Sequence, residues 1–377
     1  MHKRLNYPFM LALIIITGVG FFVITYAQQV IAEIEEYDLA MSQHFAIDPP
    51  KKPEAIVAKG LYLTAFSAAN PKKRAEIIDL TKRTELNAVV IDIKDYSGYV
   101  LYDSMLPLVD ELNTDRDTLK NIRTIVKEFK DAGMYVIARQ TVFQDPVLAR
   151  ANPEWAIRTA DGSLWRDYKG LSWVDPTKEE VWRYNMNIAK EAISYGFDEI
   201  NFDYIRFPSD GNIRTAVYAN VQESKEKTIR TFNQYVRKQL RNQPAYTSFD
   251  LFGLTLEAKN FDLNIGQRLD TAKDAVDYIY PMTYPSHYPP GHLSYQNPAD
   301  FPYEVVHNGL VKAEPTMALS RTKLRPWIQA FDLGAVYDGT KIRAQIKAAE
   351  ESPLTSGWML WNASNRYSTA GLLPENN

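Results

Sequence analysis

The stretch DEINFDYIRF (198–207) is a short apolar run that carries charge inside it, at Asp203 and Arg206. A helical segment, 178–195, precedes it and ends at Gly196; a second, 225–241, follows. A short apolar run between two longer segments of helical spacing is one βα unit of a parallel sheet covered by helices. Working outward, the unit recurs. Strands are predicted at GLYLTAF (60–66), NAVVIDIKD (87–95), YVIARQTVF (135–143), 246–256, VDYIYPMTY (276–284), RPWIQAF (325–331) and GWMLWNAS (357–364). Helices are predicted at 71–85, 118–132, 266–275, 303–310 and 340–351.

Eight such units in about 310 residues fit the size of a closed α/β barrel, the (β/α)8 or TIM barrel, better than an open doubly wound sheet. No Gly-x-Gly-x-x-Gly or Gly-x-x-x-x-Gly-Lys motif follows any strand, so a dinucleotide or P-loop fold has no support. The domain reading is therefore 1–29 signal anchor or signal peptide, 30–58 linker and 59–377 barrel.

The N-terminal reading rests on His2, Lys3 and Arg4 followed by an uncharged run to Gln29 that includes LALIIITGVGFFVITYA. A basic start before a hydrophobic stretch is an export signal. Its length approaches the ~20 residues that span a bilayer. An uncleaved, single-pass membrane anchor with its basic end in the cytoplasm is expected. The alternative is a signal peptide cut near Thr25-Tyr26-Ala27, releasing a secreted protein. Either route puts the barrel outside the cytoplasm. Acidic residues and DPPKKP (48–53) mark 30–58 as a spacer, since Pro interrupts helix and sheet.

Composition narrows the chemistry. The chain has 377 residues, 45% of them hydrophobic, and a formal net charge of −3, with no basic concentration of the kind nucleic acid requires. With no Cys, disulfides, thiolate metal sites and a Cys nucleophile are excluded. The five His form no His-x-x-x-His or His-x-His pair, so no metal is expected, and Asp110, Asp115 and Asp117 read as a solvated loop. No Gly-x-Ser-x-Gly elbow is present. No cofactor is implied, and the oligomeric state is open. The 23 Tyr and 7 Trp suit either a large core or a wet binding cleft, because these rings are amphipathic.

Barrel active sites lie at the C-terminal ends of the strands. The polar residues there are Asp92, Lys94 and Asp95 on the second strand, Arg139 on the third, Asp203 and Arg206 on the fourth, and Asp250 on the fifth. Tyr284, His287 and Tyr288 follow on the sixth, Gln329 on the seventh, and Trp361 and Asn362 on the eighth. Charge inside apolar strands is costly unless it is paired or used. Paired carboxylates with aromatic platforms and hydroxyl-binding side chains are the parts of a glycosidase. Asp203 is the candidate nucleophile or base, kept ionised by Lys94 and Arg139 as neighbours. Asp250, on the adjoining strand, is the candidate acid. Asp95 is its alternative, and Asp92 is expected in a pair with Lys94. The remaining residues are expected to bind substrate.

These segments carry a resemblance. GFDEINFDYIRFPSDG (196–211), DYIYPMTYPSHYPPG (277–291), PYEVV (302–306), RPWIQAF (325–331) and GWMLWNASNRY (357–367) resemble an uncharacterised bacterial family labelled putative glycoside hydrolase. It is a (β/α)8 group related to the glycosidase superfamily. The resemblance runs from about Gly60 to Tyr367. It implies a carbohydrate-active site with Asp203 and Arg206 in the fourth-strand motif, Asp250 in the fifth, and Tyr284, His287 and Tyr288 in the sixth. The α-amylase-like enzymes usually place a Glu on strand 5; here Asp250 stands there and Glu257 lies farther on. The expected activity is cleavage of an extracellular or cell-wall polysaccharide. The alternatives are a carbohydrate-binding envelope protein without turnover, and a different barrel enzyme such as a deacetylase or lyase.

Overall fold

The computed structural model describes residues 51–220 and 223–375. The membrane or signal segment and most of the expected spacer lie outside the described residues. Among the described residues no helix is long and apolar enough to cross a membrane.

Nine short strands form the eight staves of a closed, all-parallel barrel. They are β1 (Ala58–Leu63), β2 (Ala88–Lys94), β3 (Tyr135–Thr141), β4 (Glu199–Asp203), β5 (Tyr246–Phe252), β6 (Tyr278–Met282), β7 (Lys323–Leu324), β8 (Trp327–Gln329) and β9 (Gly357–Trp361). The order runs β5-β4-β3-β2-β1-β9-β8-β6, and β5 pairs with β6 from Ser248↔Tyr278 to Phe252↔Met282 to close the ring. The main crossover helices are α1 (Pro71–Arg83), α2 (Ile122–Asp131), α3 (Glu179–Ser194), α4 (Lys225–Leu240), α5 (Pro302–Met317) and α6 (Gly339–Glu350). A 3-10 turn, Gly253–Leu256, and a one-turn helix, Leu269–Ala272, lie between β5 and β6.

The expected seventh strand is split. Pro326 has no N–H for a ladder bond, so pairing with β6 breaks between Leu324 and Trp327. The fourth strand is half its expected length. It stops at Asp203 because Tyr204 takes a left-handed backbone, φ 54°, which no strand continues. At the start of β9, Gly357 (φ 109°) is obligatory: a Cβ there would stand 1.9 Å from the carbonyl oxygen of Ala58.

Side-chain alternation sorts the strands into two faces. Ile200 and Phe202 of β4 join the apolar layer under the helices, as do Val89 and Ile91 of β2. Glu199, Asn201 and Asp203 point into the barrel and each meets a partner there: Arg325, Asp250 and Arg139 respectively. The interior therefore has polar layers set among Tyr62, Val90, Ile137, Tyr280 and Trp327.

The layer at the N-terminal end is a plug. Arg325 pairs with Glu199 at 2.7 Å, and both side chains are fully buried. The Arg325 guanidinium lies 3.4 Å from the Tyr278 ring centroid and also donates to the carbonyls of Ser356 and Ile56. Lys52 pairs with Asp277 at 2.8 Å and Tyr246 donates to the Pro53 carbonyl, so the end of the expected spacer straps across this face.

Breaking a buried pair by removing one partner leaves an uncompensated charge. Arg325→Met is expected to lower unfolding stability by about 3–5 kcal/mol in urea titration, with Arg325→Met/Glu199→Leu recovering much of the loss.

Candidate active site

The C-terminal layer is organised by one cation. Arg139, inward-facing on β3, is buried, and its guanidinium meets carboxylates from three other strands. Nη1 donates to Asp92 at 2.5 Å, Nη2 pairs with Asp203, and Nε stands 3.6 Å from Asp250. Above it lies the ring of Trp361, its centroid 5.0 Å from the guanidinium carbon. Tyr62 stacks on that ring, with centroids 4.0 Å apart, and donates its hydroxyl to Asp92.

The three carboxylates differ in surroundings. Asp203, at the last position of β4, accepts the N–H of Tyr204 on Oδ1 at 2.5 Å, so the left-handed turn that ends the strand also orients the carboxylate. Asp250 is 1% exposed and receives Asn201 Nδ2 at 2.9 Å and Trp327 Nε1 at 2.8 Å. Burial, followed by the charge of Asp203, pushes its carboxyl well above the usual carboxylate range. Burial also pushes Asp92 up, to about 6, against the opposing pull of Arg139 and Tyr62.

The structure brings together Asp92, Arg139, Asp203, Asp250 and Trp361, with Tyr284 alongside. Tyr284 lies 6.4 Å from Trp361 and 5.3 Å from His287, ring to ring. Tyr284, His287, Phe331, Trp361 and Asn362 line an open pocket of about 390 Å³. Burial lowers the affinity of His287 for a proton. A larger hollow, about 700 Å³, lies at the opposite end among Lys52, Arg241, Tyr246 and Asp277. It is away from the carboxylate cluster, and barrel chemistry belongs to the other face.

Several expected roles are corrected. Lys94 is not a neighbour of Asp203 and does not pair with Asp92. A register shift between Asp92 and Lys94 sets Lys94 beside Gln140, and its ammonium pairs with Asp145 at 2.8 Å, fully buried. Tyr288 is turned into a different cluster, its ring 4.6 Å from His292. Gln329 braces rim loops: it accepts Ser286 N–H and donates to the carbonyls of Phe331 and Leu333. Asn362 touches the pocket, but its amide is committed to the carbonyls of Ala330 and Arg366. Asp95 holds its own turn through Ser97. Arg206 is not among these corrections: it stands at the same end of the barrel, outside the Arg139 cluster and among the rings of Trp173, Tyr204 and Phe252.

Tyr62, Asn201 and Trp327 are site residues that the sequence reading passed over. Asn201 was within reach, since it precedes Asp203 by two positions and must share its face. Tyr62 and Trp327 carry no such mark; only barrel closure brings them onto Asp92 and Asp250.

The fold is shared with known barrels. The Bordetella bronchiseptica PgaB (BpsB) glycoside hydrolase domain superposes with a TM-score of 0.59 at 14% identity, covering 82% of this chain and 94% of that one. The endo-β-1,4-mannanase of Thermotoga petrophila gives 0.54 at 10% identity, covering 85% and 72%. A hypothetical protein from Ruminiclostridium thermocellum is 40% identical, covering 51% of this chain and 97% of its own, with a TM-score of 0.48. No curated protein matches. Likeness at 10–14% identity shows the fold. The family model described as "Putative glycosyl hydrolase domain" matches residues 60–367, nearly the whole barrel, and the chain belongs to that family.

Proposed function

We propose that the chain is a glycoside hydrolase acting on an extracellular or cell-wall polysaccharide. The observation that carries this reading is the pair of carboxyls on adjoining strands, Asp203 and Asp250, gathered beside the one guanidinium of Arg139. Asp203 is the ion-pair partner of Arg139 at the strand end. Asp250 is kept as the acid by burial and by the charge of Asp203. Two carboxyls whose environments drive them apart are how acid and base roles are divided on one site. Asp203 attacks the anomeric carbon or activates water against it, and the proton on Asp250 serves the leaving oxygen. Trp361 and Tyr284 offer faces for sugar C–H surfaces beside the pocket. The family model and the glycosidases among the structural relatives support the same class.

The basic start and apolar run at the N-terminus support a barrel held outside the cytoplasm on a single membrane span, or secreted if the segment is cleaved. Its partners are then a carbohydrate substrate and, through that segment, the membrane.

One observation favours a second reading, a barrel that binds glycan without turnover: Asp250 is 1% exposed, behind Asn201 and Trp327. Incubating the full-length protein with exopolysaccharides and wall glycans separates the two. The hydrolase reading predicts new reducing ends, lost in Asp203→Asn and reduced about 10²–10⁴-fold in Asp250→Asn, with glycan binding retained. Glycan binding without reducing ends from the unmodified protein supports the second reading and contradicts the first.

Protonation also reports on stability. Asp92 binds its proton more tightly folded, at about 6, than in an unfolded chain, near 3.9. The folded state therefore holds the extra proton between about pH 4 and 6, and stability falls as pH rises through that window. The stability of wild type relative to Asp92→Asn is expected to drop by about 2–3 kcal/mol from pH 4 to pH 7 in denaturant titrations. A pH-independent difference contradicts the assignment.

A further inference from the structure

Arg206 is a buried cation for which the cluster around Arg139 has no use. Its residue is 8% exposed. The guanidinium carbon lies 5.1 Å from the Trp173 ring centroid, 5.0 Å from Tyr204 and 4.8 Å from Phe252. These rings come from the β3–α3 connection, the turn after Asp203 and the last residue of β5, so the cage stands at the active-site end of the barrel, beside the two strands that carry Asp203 and Asp250. Nη1 donates to the Phe207 carbonyl at 3.1 Å and to Ser209 Oγ at 3.2 Å.

Among the described residues no carboxylate forms an ion pair with this charge. Three act on it through space, Asp203, Asp210 and Asp167, and each is committed elsewhere. Asp203 holds Arg139 and the Tyr204 N–H. Asp210 accepts the Tyr168 N–H. Asp167 accepts the N–H groups of Lys169 and Leu171 and the indole of Trp173. Burial lowers the proton affinity of Arg206, yet a guanidinium stays charged in proteins. Its Nε–Nη2 edge carries no hydrogen bond among the described residues. Unlike Nε of Arg139, which is sealed, that edge is not among the unpaired atoms closed off from solvent.

A buried, unpaired charge is costly, and aromatic faces offset only part of the loss of water. The Nε–Nη2 edge, unpaired among the described residues, presents two parallel N–H donors, the geometry that takes a carboxylate in bidentate fashion. We propose that Arg206 is the receptor for a carboxylate on the glycan, so that the barrel selects an acidic, uronate-bearing polysaccharide. The ring faces of Tyr204 and Phe252 flank the bound sugar. The proposal rests on the barrel being carbohydrate-active and adds the class of sugar it takes.

The test is a binding titration of the full-length protein, followed by tryptophan fluorescence at fixed ionic strength. The probes are polyglucuronate and the same polymer after chemical reduction of its carboxyls to a neutral glucan. Polyglucuronate is expected to bind at least about tenfold more tightly, the size of a charge-assisted hydrogen bond. Arg206→Gln is expected to bring the two affinities within about twofold. Arg206→Lys, which keeps the charge but loses the fork, falls between and covers the case in which Arg206→Gln does not fold. Equal affinity of the unmodified protein for both polymers, including no binding of either, overturns the proposal, as does a preference that survives Arg206→Gln. Because turnover is not read, a preference for uronate without new reducing ends counts against hydrolysis alone. Cleavage of neutral glycan with no uronate preference counts against the receptor alone.

Discussion

The guanidinium of Arg139 is the constraint around which the working end of the barrel is arranged. It stands on β3 and reaches carboxylates from β2, β4 and β5. Three carboxyls gathered around a single buried cation cannot all stay ionised without a severe penalty, so the charge must be shared unequally. The outcome follows burial and hydrogen bonding. Asp203 takes the ion pair at the strand end, and Asp250, behind Asn201 and Trp327, is driven toward the neutral form. Asp92 lies between these extremes. Carboxyls of one residue type thus meet different surroundings in one layer of the fold.

The same arrangement recurs, for another purpose, at the opposite end. Arg325 and Glu199 pair in full burial under Tyr278 and Tyr280, with one carboxylate for one guanidinium and the remaining donors satisfied by carbonyls and a hydroxyl. That balance makes a plug. At the C-terminal end three carboxyls share one guanidinium. Arg206 reverses the imbalance a short way off: among the described residues it is caged by rings and forms no ion pair.

Much of the fold was legible because a (β/α)8 chain repeats its own signal. Apolar runs such as NAVVIDIKD and YVIARQTVF fall on strands, and Gly133 and Gly196 follow helix ends. Strand limits were less so. Nothing local to DEINFDYIRF announces that Tyr204 turns left-handed, which shortens the strand and removes Arg206 from its ladder. The cluster of Asp92, Arg139, Asp203 and Asp250 could be read from charge at strand ends. Lys94 could not, since strict alternation sets it on the face of Asp92, and only the register shift sends it to Asp145. Gln329 and Asn362 were found at the right end of the barrel, but backbone carbonyls of the rim loops already occupy their amides. Such demands come from loop conformation, which strand patterning does not encode.

Infrared difference spectroscopy reads the unequal sharing of protons around Arg139. Spectra of the wild type and of Asp250→Asn at neutral pH isolate the signal of one carboxyl. The account predicts a protonated C=O stretch present in the wild type and absent from Asp250→Asn, with no matching carboxylate band. A carboxylate band in its place would mean that Asp250 is ionised beside Asp203, and the division into acid and base would fail.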